Sequence, residues 1–152
     1  KPKKIVVVSS APQIRYPDCY GIDMARLEAL IAFQGALALH KDRGTESIVD
    51  TIYKKCKDQE GAPDSEQINH VKELYAPFTD EEISDKIAEI ISEKSIAADV
   101  KVIFQSVDDL HKACPDNLGD WYFTGNYPTP GGYRVVNKAY INFIEGNPER
   151  AY

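Results

Sequence analysis

The pattern of apolar and polar positions begins with an unbroken branched apolar run, Ile5–Val8. Such a run is typical of a strand covered on both faces, and so of a parallel sheet. It stops at small and polar residues and at a proline, which cannot continue a ladder of backbone hydrogen bonds. These positions are Ser9, Ser10, Ala11 and Pro12. Because open α/β sheets bind ligands at the carboxyl ends of such strands, the loop from Ser9 to Asp23 is the first candidate site.

Apolar residues at helical spacing follow this loop. The pattern predicts a helix from Met24 to about Leu39, with Asp23 as its N-cap. We expect Gly44 to end that helix and Thr45 to cap a second one. The second helix carries its apolar residues on one face: Ile48, Val49, Ile52, Tyr53 and Cys56.

Capping signals mark two more helices. Asp64 or Ser65 is placed to cap a third helix over 68–75. Thr79 is followed three residues later by Glu82, which is the pattern of a capping box at the start of a fourth.

The second half of the chain predicts two further strands and two further helices. A second buried strand runs over Val100–Gln105, and Ser106 with Asp109 caps the helix after it. The aromatic stretch Trp121–Thr124 favours a third strand, and Asn137–Ile144 a terminal helix. The predicted order, β-α-α-α-α-β-α-β-α, indicates an α/β fold with a parallel sheet.

Composition narrows the class of protein. A chain of 152 residues with 43% hydrophobic content is expected to form one core. The net charge of −6 argues against nucleic acid as the main partner. The longest apolar stretch falls short of the ~20 residues that a membrane helix needs, and no signal-peptide pattern is present, so we expect a cytoplasmic protein. The chain opens almost directly into a strand without an initiator methionine, which suggests a piece of something longer.

The cysteines and histidines predict no metal centre. Cys19, Cys56 and Cys114 are odd in number and widely spaced, and the three histidines do not cluster with them. Reduced thiols that behave as small apolar residues are the expected state.

Residue types alone leave the role of the first loop open. Ser9 and Ser10 are suited either to bind a phosphate or hydroxyl group or to satisfy backbone groups in a turn. Arg15 and Tyr16 could contact an anion or stack on a base, but a solvated arginine fits equally well. No Gly-x-Ser-x-Gly elbow surrounds either serine, so nucleophilic catalysis is not predicted.

Two segments carry a family resemblance. SSAPQIRYP at 9–17 with YGIDM at 20–24 resembles the C-terminal part of glutamine amidophosphoribosyltransferase, where the passage reads S-A/S-x-P-x-I-x-x-P-x-x-Y-G-I-D. FTGNYP at 123–128 is similar to the family's F-x-G-x-Y. Between these anchors, 79–110 resembles the family's helix–strand–helix.

The resemblance implies a division of the chain. Segments 1–33 and 79–135 correspond to part of a type I phosphoribosyltransferase-like parallel sheet. Segment 34–78 is a helical insertion, and 136–152 is a C-terminal helix and tail.

The resemblance also implies the first committed step of purine synthesis, in which glutamine-derived ammonia is transferred to phosphoribosyl pyrophosphate with Mg²⁺. The family's cysteine nucleophile and its Asp-Asp–Gly/Thr phosphate loop are not matched here, so no residue takes a catalytic role. The expected partners are the upstream phosphoribosyltransferase and glutaminase portions of the same chain, in a homo-oligomer when intact. The fragment alone is expected to be inactive and to hold no cofactor.

The site residues implied by the resemblance lie in the first loop. Ser9, Ser10, Ala11 and Pro12 are expected to border the nucleotide or phosphoribosyl pocket. Tyr20 and Asp23 are expected to face the glutaminase domain.

Some family members hold an iron–sulfur cluster whose cysteine ligands precede F-x-G-x-Y. Here Asp116, Gly119 and Tyr122 fill that stretch, and Cys19 is displaced by one position from another ligand, so no cluster is implied.

A competing motif and two competing functions remain. Asp108-Asp109 follows a strand as in phosphoribosyl pyrophosphate enzymes, but no Gly/Thr loop comes after it, which favours a helix cap. One alternative function is a noncatalytic α/β module that binds a nucleotide or a protein through the Ser9 loop. The other is a helical scaffold built on 40–95.

Overall fold

The computed structural model describes residues 2–20, 24–92, 97–117 and 119–151 and confirms the mixed α/β class. Within these ranges, two strands and seven α-helices follow one another along the chain. They are β1 Lys4–Ser9, α1 Ile31–Arg43, α2 Ser47–Asp58, α3 Lys72–Tyr75, α4 Asp80–Ile91, β2 Asp99–Phe104, α5 Val107–Ala113, α6 Trp121–Thr124 and α7 Pro130–Glu145. No described helix has the length and apolar character needed to cross a membrane.

The sheet consists of β1 and β2, which pair in parallel from Lys4 opposite Asp99 to Ser9 opposite Phe104. The first two predicted strands are therefore confirmed to within about one residue. Their carboxyl ends lie side by side, which brings the loop after β1 next to the loop after β2.

The expectation that β1 is covered on both faces is wrong for the described part of the chain. Val6, Val7 and Val8 are 48%, 45% and 69% exposed. Helix α4 packs against β2, where Val102 is buried, and Val8 and its neighbour Ile103 remain exposed. The apolar run therefore predicts the strand correctly, but not its exposure in the described part of the chain.

Three of the predicted helix-end signals are confirmed. The Thr79 hydroxyl accepts a hydrogen bond from the Glu82 amide while the Glu82 carboxylate accepts from the Thr79 amide, which is the predicted capping box of α4. The Ser106 hydroxyl accepts from the Asp109 amide at the start of α5. Gly44 ends α1 in the left-handed conformation, with φ of 65°.

The first predicted helix begins later than expected. Leu27–Ala29 forms a short 3-10 turn, and α1 starts at Ile31 with Leu30 in the N-cap position. Asp23, the predicted N-cap, lies outside the described residues. Thr45 does not cap α2, because the N-cap is Glu46 and the Thr45 hydroxyl contacts the ring of His40 instead.

Three other elements differ from prediction. The third helix is reduced to α3, and Ile68 is 58% exposed. The prediction that Asp64 or Ser65 caps it is wrong, because Asp64–Glu66 forms a separate 3-10 turn and Val71 takes the N-cap position of α3. The predicted strand Trp121–Thr124 is the helical turn α6, which ends at the left-handed Gly125. The terminal helix α7 begins seven residues early, at Pro130, whose fixed φ suits the first helical position.

Segment 34–78 and the segments on either side of it share one core. Segment 34–78 is helical as predicted, but its buried side chains pack in the same cluster as those of the flanking segments. The cluster includes Leu27, Phe33, Ile52, Val71, Leu74, Ile83, Val136 and Tyr140. That this segment is an insertion relative to a family remains a prediction.

Candidate functional site

The loop that follows β1, residues 10–20 (the β1 loop), has no regular secondary structure yet is largely buried. Tyr16 is 3% exposed and Asp18 is fully buried. A buried irregular segment needs partners for its backbone groups, because unpaired buried polar groups are costly. Those partners come from three distant parts of the chain.

The first turn of the loop engages Ser9. Its hydroxyl donates to the Ala11 carbonyl at 2.9 Å and accepts from the Ala11 amide at 3.2 Å. Ser10 is exposed. The turn role proposed for Ser9 is therefore present, and its hydroxyl is engaged by the backbone.

Two clefts open at the carboxyl ends of the strands. One, of about 280 Å³, is mostly apolar and is lined by the predicted residues Ser9, Ala11 and Pro12 together with Leu30, Ile31 and Phe104. The other, of about 260 Å³, has the apolar residues Val102, Ile103 and Phe104 on one side, and its polar lining residues are Asp80, Ser84, Asp85, Lys101, Gln105 and Ser106. Gln13 and Phe104 line both clefts, so their side chains lie at the boundary between them. Ser10 is not among the residues that line either cleft.

The backbone of the β1 loop is held by tyrosines. The Tyr122 carbonyl accepts from the amides of Arg15 and Tyr16 at 2.9 and 3.1 Å. The Tyr127 hydroxyl donates to the Pro17 carbonyl at 2.5 Å. The Tyr75 hydroxyl donates to the Arg15 carbonyl at 2.7 Å, and burial raises the pKa of Tyr75 well above its ordinary value. These hydroxyls therefore stay protonated donors.

Gly125, which follows α6, allows the β1 loop to pack closely against the end of α6. Its φ is 69°, and a Cβ there would lie 2.8 Å from Cζ of Tyr16 and 2.5 Å from Nδ2 of Asn69. The Asn69 amide donates to the Gly125 carbonyl at 3.0 Å. Both the conformation and the close approach therefore require glycine.

Asp18 joins the loop to α6. Its carboxylate accepts from the Tyr122 hydroxyl at 2.9 Å and from the Tyr20 amide at 3.0 Å. Burial, and then the Asp18 carboxylate, raise the pKa of Tyr122. Tyr20 is 51% exposed and its ring meets that of Trp121 edge-on at 5.4 Å. Asp23, predicted to act beside Tyr20, lies outside the described residues.

Arg15 is not free to bind an anion. Its guanidinium is ion-paired to Asp80, donates to the Gln13 side chain, and lies 5.4 Å from the centre of the Tyr75 ring. The Asp108-Asp109 pair likewise lies at a helix start, where Lys112 and then Ser106 lower the pKa of Asp109 by hydrogen bonding.

Metal ligands are not assembled in the described part of the chain. No group of three or more His, Cys, Asp or Glu side chains there is placed to hold an ion.

Sequence reasoning missed Gln13, Tyr75 and Tyr122 as residues that hold the loop. The apolar pattern places Tyr75 in a helix and Tyr122 in a strand, and it gives Gln13 no role. The one available signal was the density of tyrosine in 120–127, since a buried tyrosine usually finds a hydrogen-bond partner.

No protein-family model, no curated protein and no solved structure matches this chain.

Proposed function

We propose that this chain is the C-terminal part of a glutamine amidophosphoribosyltransferase, a glycosyltransferase of purine synthesis. The observation that carries the proposal is the contact between the two segments on which the resemblance rests. Pro17 and Tyr127 are 110 positions apart, and the Tyr127 hydroxyl reaches the Pro17 carbonyl. The two segments that carry the resemblance are far apart in the sequence but in contact in the structure, and this contact supports the proposal.

The glycine and the tyrosine of F-x-G-x-Y have separate physical roles in that contact. Gly125 leaves room for the Tyr16 ring, and Tyr127 supplies a hydrogen bond to the loop. The spacing of the motif thus matches a packing requirement.

The exposed sheet also supports the proposal. Two parallel strands form a marginal sheet by themselves, and parallel sheets are normally covered on both faces. Val6, Val8 and Ile103 present apolar side chains to solvent. In the proposed enzyme, upstream chain extends and covers this type I phosphoribosyltransferase sheet.

The reaction joins ammonia to the anomeric carbon of phosphoribosyl pyrophosphate and releases pyrophosphate. The catalytic groups belong to upstream chain. In this proposal, Ser9, Ala11 and Pro12 border the nucleotide or phosphoribosyl pocket, as the apolar cleft that they line suggests. Tyr20 and Asp23 face the glutaminase domain. The intact protein is a cytoplasmic homo-oligomer.

The proposal is tested first on the chain by itself. Purified 152-residue protein is expected to form no phosphoribosylamine from phosphoribosyl pyrophosphate with either glutamine or ammonium. Nothing in the chain's matched segments supplies the donors and charges that would hold the pyrophosphate group. Formation above the uncatalysed background would contradict the assignment of catalysis to upstream chain.

The natural reading frame gives the second test. We expect a V-x-x-x-D-D-S-x-x-x-G-T-T stretch within about 40 residues upstream, where strand, acidic pair and helix N-terminus together form a phosphate site. If the frame lacks it, the chain is instead the noncatalytic nucleotide- or protein-binding module.

A further inference from the structure

Gln13 is a buried amide at the boundary between the two clefts. Its side-chain nitrogen donates to the Asp80 carbonyl at 2.7 Å and to the Ser84 hydroxyl at 2.9 Å. Its side-chain oxygen accepts from Nε and Nη2 of Arg15 at 3.1 and 2.7 Å. Both the nitrogen and the oxygen of the Gln13 side-chain amide therefore make two hydrogen bonds, and Gln13 is only 4% exposed.

Arg15 decides which way this amide points. In the reverse orientation the amide N–H groups would face the guanidinium, and the amide oxygen would face the Asp80 carbonyl. Arginine accepts no hydrogen bond, so that orientation loses each of these bonds. The guanidinium is itself fixed by Asp80 and by the Tyr75 ring.

The network ties the β1 loop to the start of α4. Asp80 is the first residue of α4, and the Thr79–Glu82 capping box holds this helix start in place. Arg15 is 16% exposed in its side chain and lines neither cleft, whereas Gln13 lines both. Arg15 can therefore influence a bound ligand only through Gln13 and the loop.

We propose that Arg15 and Asp80 are positioning residues, which lock Gln13 as the wall between the two clefts and so fix the Ser9–Pro12 turn for phosphoribosyl pyrophosphate. This proposal rests on the proposed function. It assigns Arg15 no contact with substrate, and it predicts an effect on substrate affinity rather than on the chemical step.

The first measurement uses the 152-residue chain and is independent of activity. In Arg15→Lys the charge remains but the two-pronged donor is lost. Hydrogen exchange of the Gln13 side-chain amide, followed by NMR, is expected to accelerate about tenfold, as for the loss of one charged hydrogen bond. The matched control is Arg134→Lys, which alters a surface pair with Asp64 and is expected to leave Gln13 unchanged.

The second measurement uses the complete natural protein. For Arg15→Lys we expect the KM for phosphoribosyl pyrophosphate to rise about tenfold while kcat stays within about twofold. Arg134→Lys is expected to change neither constant. Asp80→Asn keeps the backbone carbonyl of residue 80 but removes the charge of the side chain, and it is also expected to raise the KM for phosphoribosyl pyrophosphate. This variant replaces Arg15→Lys in the test if Arg15→Lys does not fold.

The outcomes separate the two proposals. Unchanged Gln13 exchange in Arg15→Lys, or a fall in kcat at constant KM, overturns the positioning role. If the complete protein forms no phosphoribosylamine, the proposed function fails, and the exchange measurement still decides whether Arg15 locks Gln13.

Discussion

Replacing Gly125 by alanine tests the packing of the candidate site. Gly125 has a φ of 69°, and left-handed backbone destabilises a residue that carries a Cβ by about 1–2 kcal/mol. The added methyl would also lie 2.5 Å from Asn69 and 2.8 Å from the Tyr16 ring. Overpacking of this kind costs about 1–3 kcal/mol. We therefore expect Gly125→Ala to lower the free energy of unfolding by roughly 2–5 kcal/mol, a large part of the ~5–15 kcal/mol typical of a domain.

Gly44→Ala is the matched control. Gly44 has nearly the same φ, 65°, but a Cβ there would meet no atom within 4 Å. It should therefore lose only the conformational contribution of about 1–2 kcal/mol. The difference between the two variants isolates the contact between Gly125 and the β1 loop.

The assay is urea denaturation followed by fluorescence of Trp121, the one tryptophan, which lies four positions before Gly125. In a Tyr16→Leu background the excess loss in Gly125→Ala should shrink, because two of the three closest atoms belong to the Tyr16 ring. Equal destabilisation by Gly125→Ala and Gly44→Ala would refute the close approach of the two segments.

Three further predictions follow from burial and charge. Burial raises the pKa of the Cys56 thiol to about 12. Ellman's reagent at pH 8 should therefore label the exposed Cys114 rapidly and Cys56 only when the protein unfolds. Rapid labelling of Cys56 in the folded protein would contradict this. Burial also raises the pKa values of Tyr16 and Tyr75 above the unfolded value of about 10. The contribution of these two neutral tyrosines to the free energy of unfolding is therefore complete below pH ~10 and is lost as the pH rises further. A midpoint of urea unfolding that stays constant from about pH 9 to 11 would contradict this prediction. Asp23→Asn in the complete protein should reduce glutamine-dependent synthesis and spare ammonia-dependent synthesis; equal retention of both would remove the proposed contact with the glutaminase domain.

Signals that act within one turn of the chain were predictable. The Thr79–Glu82 box, the Ser106 cap and the Gly44 helix end each join residues a few positions apart, so residue type and spacing suffice. The parallel pairing of β1 with β2 also followed from two branched apolar runs at the expected places.

Propensity failed where a short segment depends on its surroundings. Trp121–Thr124 has strand-forming residues, but the Thr124 and Gly125 amides donate back to Asp120 and Trp121, and Gly125 turns the chain. Helix α3 is short because Asn69 and Asn137 bind the backbone before it, at Val71 and His70. Such competition between side chain and backbone is not visible in apolar spacing.

The location of the candidate site was predictable, but its supports were not. The end of an apolar strand indicated Ser9–Pro12, and two clefts lie there. Gln13 reaches its partners 67 and 71 positions away, and Tyr122 reaches Asp18 across 104. Contacts over such separations depend on how the helices pack, which no local pattern encodes.

The most direct test of the account is steady-state formation of phosphoribosylamine by the complete natural protein, measured once with glutamine and once with ammonium. We predict activity with both nitrogen donors, and loss of both when the chain is truncated before Lys1. A folded complete protein that forms no phosphoribosylamine with either donor would contradict the proposed function.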